Sequence, residues 1–138
     1  MGASNIVLVD SNIWIGIFND TDSLHEKSSI VIHDLHKKEK KVMITNFIIL
    51  EVFTILSLRQ GQSTAMTFYE YITKNELIQT LDVDSYWLEG TIDFIKEQSL
   101  TKKMSIVDYT NLYVSLSFGF ELLSFDKQLM SVYKKVTA

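Results

Sequence analysis

Apolar and polar positions fall in blocks along this chain. The run Ile6-Val7-Leu8-Val9 is apolar throughout, has three β-branched residues, and ends at Asp10. Such a run predicts a strand buried on both faces, the kind found in parallel sheets. Strand one is expected over about Ile6–Asp10, followed by a short helix over Ser11–Phe18 with Trp14, Ile15 and Phe18 on its apolar side. After the polar loop Asn19-Asp20-Thr21-Asp22, the spacing of Ser23 and Glu26 is that of a capping box and opens a helix to about Lys40. Lys41–Thr45 reads as strand two. Asn46 is placed to cap a helix running to Gln60, with Gly61 as its stop. Ser63 begins another helix through about Lys74, and Leu77–Val83 reads as strand three. Asp84 or Ser85 caps a helix to about Gln98, and Ser105 caps one ending near Gly119. Glu121–Phe125 reads as a short strand, and Asp126 leads into a last helical turn through Tyr133.

Strands separated by helices predict an α/β fold. The expected form is three layers, α/β/α, around a central parallel sheet of four to five strands, with residues 1–138 as a single domain. An acid that closes a strand then sits at the carboxyl edge of the sheet. In open α/β sheets that edge is where ligands bind.

Composition narrows the chemistry. The chain has no cysteine, which excludes disulfides and thiolate metal sites and suits a cytoplasmic setting. No apolar run reaches the length of a membrane span. The start, Met-Gly-Ala-Ser-Asn-Ile, lacks the basic and long apolar regions of a signal peptide, and Ile6 breaks the myristoylation pattern. Net charge is −4, which argues mildly against a simple polyanion binder. Four acids discussed next carry that excess, because the remaining 13 acids balance 13 Lys plus Arg. The bases are clustered at Lys37, Lys38, Lys40 and Lys41, at Lys102 and Lys103, and at Lys134 and Lys135. A neutral surface with such patches can hold a phosphate backbone, although the plain reading of each is a solvated surface.

Asp10 is the first of the four acids. Glu51 is the second: nine of the twelve residues from Phe47 to Leu58 are apolar, and Glu51, Thr54 and Ser57 form one narrow stripe. A carboxylate in such a helix is costly unless it is paired or metal-bound. Asp108 is third, in the first turn after Ser105, where Ser-x-x-Asp also satisfies a plain capping box. Asp126 is fourth, directly after Leu122-Leu-Ser-Phe125, and also reads as a helix N-cap. A parallel sheet delivers strand ends and the helix starts beyond them to one edge. Four carboxylates without His or Cys are hard oxygen ligands suited to Mg²⁺ or Mn²⁺, and without a cation they repel one another. An acidic cleft of that kind acts on phosphates.

The set Leu8-Val9-Asp10-Ser11-Asn12, Glu51 in its apolar helix, Ser105-Ile-Val-Asp108 and Ser124-Phe125-Asp126-Lys127 resembles the PIN-domain nucleases, in order and over nearly the whole chain. It is similar in particular to the VapC-like toxins of toxin–antitoxin pairs. That resemblance implies a Mg²⁺- or Mn²⁺-dependent single-strand ribonuclease. Asp10 and Asp108 would be the firmest metal ligands, with Glu51 and Asp126 completing the shell, and all four would be the catalytic acids. Asn12 and Ser105 match polar helpers that orient carboxylates or bound water. RNA is the implied substrate and an antitoxin protein the implied partner. The apolar helix Phe47–Leu58 with Phe68, Tyr69 and Tyr71 exceeds the needs of a small core, which predicts a homodimer face or an antitoxin groove. The alternatives are an RNA-processing nuclease that is no toxin and a silent PIN-like module that binds RNA or protein without cutting. A receiver-type signalling domain fits poorly, since Thr45 rather than an acid ends strand two. His25, His33 and His36 read as surface histidines, and Trp14 and Trp87 as core or interface residues.

Overall fold

The computed structural model describes residues 5–138. Residues 1–4 lie outside these, and with them most of the start read as neither signal peptide nor myristoylation site. The elements run β1 (Ile6–Val9), α1 (Ser11–Phe18), α2 (His25–Lys37), β2 (Lys41–Thr45), α3 (Asn46–Gln60), α4 (Gln62–Lys74), β3 (Ile78–Leu81), α5 (Ser85–Glu97), α6 (Ile106–Phe118), β4 (Glu121–Leu123) and α7 (Lys127–Thr137).

The described strands form one parallel sheet in the order β3-β2-β1-β4, four strands where four to five were expected. The connections from β1 to β2 and from β2 to β3 step one way, and the connection from β3 to β4 returns past β1. With right-handed crossovers, α1 to α4 then cover one face, and α5 and α6 the other. Helix contacts agree: α1 packs on α2 and α3, α3 on α4, α5 on α6, and α6 on α7. Val7, Leu8 and Val9 of β1 are fully buried, as a central strand covered on both faces requires. The crossovers diverge on either side of β1 and β4, which makes the carboxyl ends of these two strands the switch point where a crevice opens.

Several local expectations give way to better-satisfied alternatives. Ser23 does not cap α2; Leu24 holds the cap position without a side-chain bond, and Asp22 Oδ1 accepts from the Leu24 amide at 2.8 Å. Asn46 does not cap α3, because Thr45 Oγ1 takes that place by accepting from the Ile48 amide at 3.1 Å. Asn46 instead ties α3 to the end of the β3 segment, accepting from the Val83 amide at 2.6 Å. Helix α4 starts at Gln62 rather than Ser63, since Gly61 serves both neighbours at φ +102°, a conformation a side chain would strain. The last helix is longer than a single turn and continues past Tyr133 to Thr137.

The core on the α1–α4 face is aromatic. Trp14 and Phe68 are fully buried and meet edge to face with centroids 5.9 Å apart, and Phe18 packs on Phe68 and Tyr71 in the same manner. Phe68 therefore belongs to the interior, and Tyr71 is half-buried against Phe18 and Trp14. What remains uncovered is a ridge along α3 and α4, with Leu50 65% and Leu58 82% exposed beside Met66 and Tyr69. Helix α2 lies close on α1 because Gly16 has no Cβ; one added there would stand 2.1 Å from Ser28 Oγ. His25 and His36 are structural, His25 contacting the Gly16 carbonyl and His36 the Tyr71 hydroxyl. No helix among the described residues is long and apolar enough to cross a membrane.

Candidate active site

The register between β1 and β4 sets the first contact. Val9 lies beside Leu123, and the ladder continues one step further as the Asp10 amide donates to the Leu123 carbonyl at 3.0 Å. Asp10 is thereby placed beside Ser124, whose hydroxyl donates to Asp10 Oδ2 at 2.7 Å. Both lone pairs of that hydroxyl are also used. Asn12 Nδ2 and the Asp126 amide each donate to it at 3.0 Å. A serine hydroxyl has one donor and two acceptor positions, so this one is fully committed. Asn12 closes the loop with its other end, its Oδ1 accepting from the Phe125 amide at 3.2 Å.

Asp10 is only 3% exposed. It caps α1, with Oδ1 accepting from the Ser11 amide at 2.7 Å. The same oxygen accepts from Asn111 Nδ2 at 3.2 Å. The Ser11 hydroxyl lies between two acids, 3.3 Å from Asp10 Oδ1 and donating to Glu51 Oε1. Glu51 therefore faces Asp10 from α3 instead of turning away, and Ser11 links the two. Asp108 and Asp126 complete the group through their charges. Burial pushes the Asp10 carboxyl above the usual carboxylate range, and the Asp126 charge adds to the rise against hydrogen bonds from Ser124 and Ser11. Asp108 is pushed up to about 6, first by burial and then by the charges of Asp10 and Asp126, while bonds from Ser105 pull it down.

The plainer readings of two acids hold as well. Asp126 caps α7, with Oδ1 accepting from the Gln128 and Leu129 amides at 2.9 and 3.1 Å. Ser105 caps α6, its hydroxyl accepting from the Asp108 amide at 3.1 Å. Capping fixes these side chains at the sheet edge without removing their charge. Asn12 acts on the β4 loop and reaches Asp10 only through Ser124. Asn111 was missed from sequence. It stands three residues after Asp108, one helical turn along the same face, which is the signal that marks it.

Among the described residues no three His, Asp or Glu side chains form a ready cage for a metal ion. The ion pairs between described side chains are the surface pairs Lys38–Asp34 and Lys74–Glu70, so among the described residues no ammonium or guanidinium is paired with the four acids. The buried Asn111 Oδ1 has no hydrogen-bond partner among the described residues. An all-oxygen donor set, mutual repulsion and an orphaned carbonyl beside the deepest acid fit a hard divalent cation. Mg²⁺ keeps several waters and takes one or two carboxylates directly, so a closed three-acid cage is not required. Beside Glu51 lies an apolar cleft of about 460 Å³ bordered by Phe47, Leu50, Ile106 and Val107. A second cleft, of about 660 Å³ near Thr67, Tyr71 and Asn75, lies toward the amino edge of the sheet, away from the acids.

Residues 7–135 match the family model described as PIN domain. The chain is 24% identical over 122 residues to the VapC ribonuclease of Archaeoglobus fulgidus, covering 88% of this chain and 77% of that protein. Its fold is similar to that of Mycobacterium tuberculosis VapC20, a Sarcin-Ricin loop cleaving toxin, with a TM-score of 0.78 and 20% identity over 91% of this chain and 94% of the other. PAE2754 from Pyrobaculum aerophilum superposes with a TM-score of 0.59 and 20% identity, covering 95% of this chain and 82% of that one.

Proposed function

Because this chain belongs to the PIN-domain family, we propose that it is a divalent-metal-dependent endoribonuclease of the VapC-like toxin kind. The observation that carries the reading is the linkage of acids from four separate segments around one buried carboxylate. Glu51 joins Asp10 through Ser11, and Asp108 and Asp126 act on it or on each other by charge. Similarity to the VapC ribonuclease of Archaeoglobus fulgidus supports the choice of RNA.

In this reading Asp10, Glu51, Asp108 and Asp126 are the catalytic acids and hold Mg²⁺ or Mn²⁺, with Asp10 and Asp108 the firmest ligands. When bound, the cation supplies positive charge for the phosphate oxygens and acidifies water. The chain's own contribution is placement. Ser124 and Asn111 fix the two oxygens of Asp10, Asn12 holds the Ser124 loop, and Ser105 anchors the first turn that carries Asp108. The ionised acids orient water around the reacting phosphate. The uncovered ridge of Leu50, Leu58, Met66 and Tyr69 suits a partner surface, either a second copy of the chain or an antitoxin.

The test is cleavage of single-stranded RNA in Mg²⁺ or Mn²⁺ by the wild-type protein and by Asp10→Asn. Loss of cleavage in a variant with an unchanged circular dichroism spectrum is expected. Equal cleavage by the two would remove the assignment.

A further inference from the structure

The acidic edge poses a difficulty for any polyanionic substrate, since four carboxylates repel phosphates on either side of the one being cut. The basic patches singled out along the sequence do not resolve it. Lys41 opens β2 at the amino edge, Lys38 is paired with Asp34, and Lys134 and Lys135 lie in the last turn of α7, remote from its start at Asp126. One basic side chain is brought by tertiary structure alone to the segment between Ser124 and Asp126. Lys27, in the first turn of α2, holds its Nζ 4.9 Å from the centroid of the Phe125 ring. Phe125 lies between Ser124, which binds Asp10, and Asp126, and its amide is tied to Asn12.

We propose that Lys27, held over Phe125, is the phosphate anchor that seats the RNA strand beside the carboxylates. The proposal rests on the ribonuclease reading above and assigns a residue that neither the motif set nor the family match supplies. Contact with an aromatic face restrains an ammonium while leaving its charge intact and N–H donors free. A carboxylate partner would instead neutralise it, and Lys27 makes no ion pair among the described residues. The position of α2 is itself fixed, because Ser28 is buried against Gly16 and His25 contacts the Gly16 carbonyl at 2.7 Å. Lys127, Lys102 and Lys103 share the edge by chain position, but no contact among the described residues fixes their ammonium groups. Lys27 is thus a restrained, unneutralised cation at the rim of an otherwise negative cleft.

The experiment measures kcat and KM for cleavage of single-stranded RNA in Mn²⁺ at several salt concentrations. It compares wild type with K27Q, K27R, F125L and the control K135Q. Lys27 is exposed, so K27Q leaves the core intact. Removing one phosphate contact should raise KM roughly three- to tenfold at low salt and lower the slope of log KM against log salt by about 0.7, with kcat within about twofold. K27R should behave as wild type, F125L should fall between, and K135Q should change little. If K27Q keeps the wild-type KM and slope, or K135Q matches its effect, the anchor is wrong while the ribonuclease reading stands. If wild type neither binds nor cuts RNA, the ribonuclease reading fails and the anchor falls with it.

Discussion

The two ends of α1 are built on opposite terms. Its start, Asp10-Ser11-Asn12, is polar and electrostatically strained, with Asp10 and Ser11 buried and Asn12 half-buried. Its middle, Ile13-Trp14-Ile15, is apolar and fully satisfied, with Trp14 meeting Phe68 and Tyr71 edge to face and its Nε1 donating to the Val9 carbonyl at 3.0 Å. Less than two turns of helix separate them. The aromatic end lowers the energy of the fold, and the acidic end raises it, because charges removed from water face one another without a counter-ion among the described side chains. Stability and chemistry are therefore separable along a single helix, and a substitution at one end should leave the other's property largely in place.

The largest effect expected is on stability. Trp14→Ala should cost about 3–5 kcal/mol, since a fully buried aromatic is lost, with the activity per folded molecule retained. Chemical denaturation paired with cleavage assays measures this. A comparable loss of activity per folded molecule would show that the two ends are coupled. Next is Asp10→Asn, expected to lower cleavage by at least about 100-fold, the scale of removing a preorganised polar group from an active site. In EDTA its melting temperature should equal or exceed that of wild type, because a buried charge is removed. A large drop in melting temperature would mean that Asp10 is a structural cap first.

A smaller effect is expected from Asn111→Leu. The amide that holds Asp10 Oδ1 disappears, which should reduce cleavage by about 10- to 100-fold, as for other residues that orient a ligand. Stability should change little, since the orphaned Oδ1 leaves with the amide. A wild-type kcat in this variant would remove Asn111 from the positioning network.

The smallest effect concerns pH. Asp108 has its folded pKa raised from 3.8 to about 6. A carboxyl with a raised folded pKa favours the fold while protonated, so its contribution is fully present below about pH 4 and is lost as pH rises through about 6. In EDTA the melting temperature of Asp108→Asn relative to wild type should therefore climb between those limits and level off above them. Asp108 is partly exposed, so solvent screening keeps the change modest. A difference that does not vary with pH would contradict the repulsion inferred among Asp10, Asp108 and Asp126.

Much of this molecule was legible in one dimension because its signals are local. The apolar run before Asp10, the stretch Lys41–Thr45, Gly61 and Gly119 at helix ends, and the alternation of strands with helices depend on near neighbours, and the parallel sheet follows from them. Cap identities were less secure. Ser23 and Asn46 have the chemistry of caps, yet the positions went to Leu24 and Thr45, because tertiary contacts decide where a helix begins. Phe68 and Tyr71 could not be told from surface aromatics until Trp14 and Phe18 were seen against them.

By itself the sequence determined which acids close strands or open helices and that their donors are oxygen alone, since residue type and spacing carry that information. Strand order was beyond it. Placing β4 beside β1 brings Ser124 onto Asp10 across 114 residues, and the turn of α3 and α6 decides that Glu51 and Asn111 face inward. These contacts are long-range, and no local pattern encodes which strand edges pair. Packing of the complete chain chooses among them, and in doing so it sets Lys27 over Phe125 at the rim of the acids.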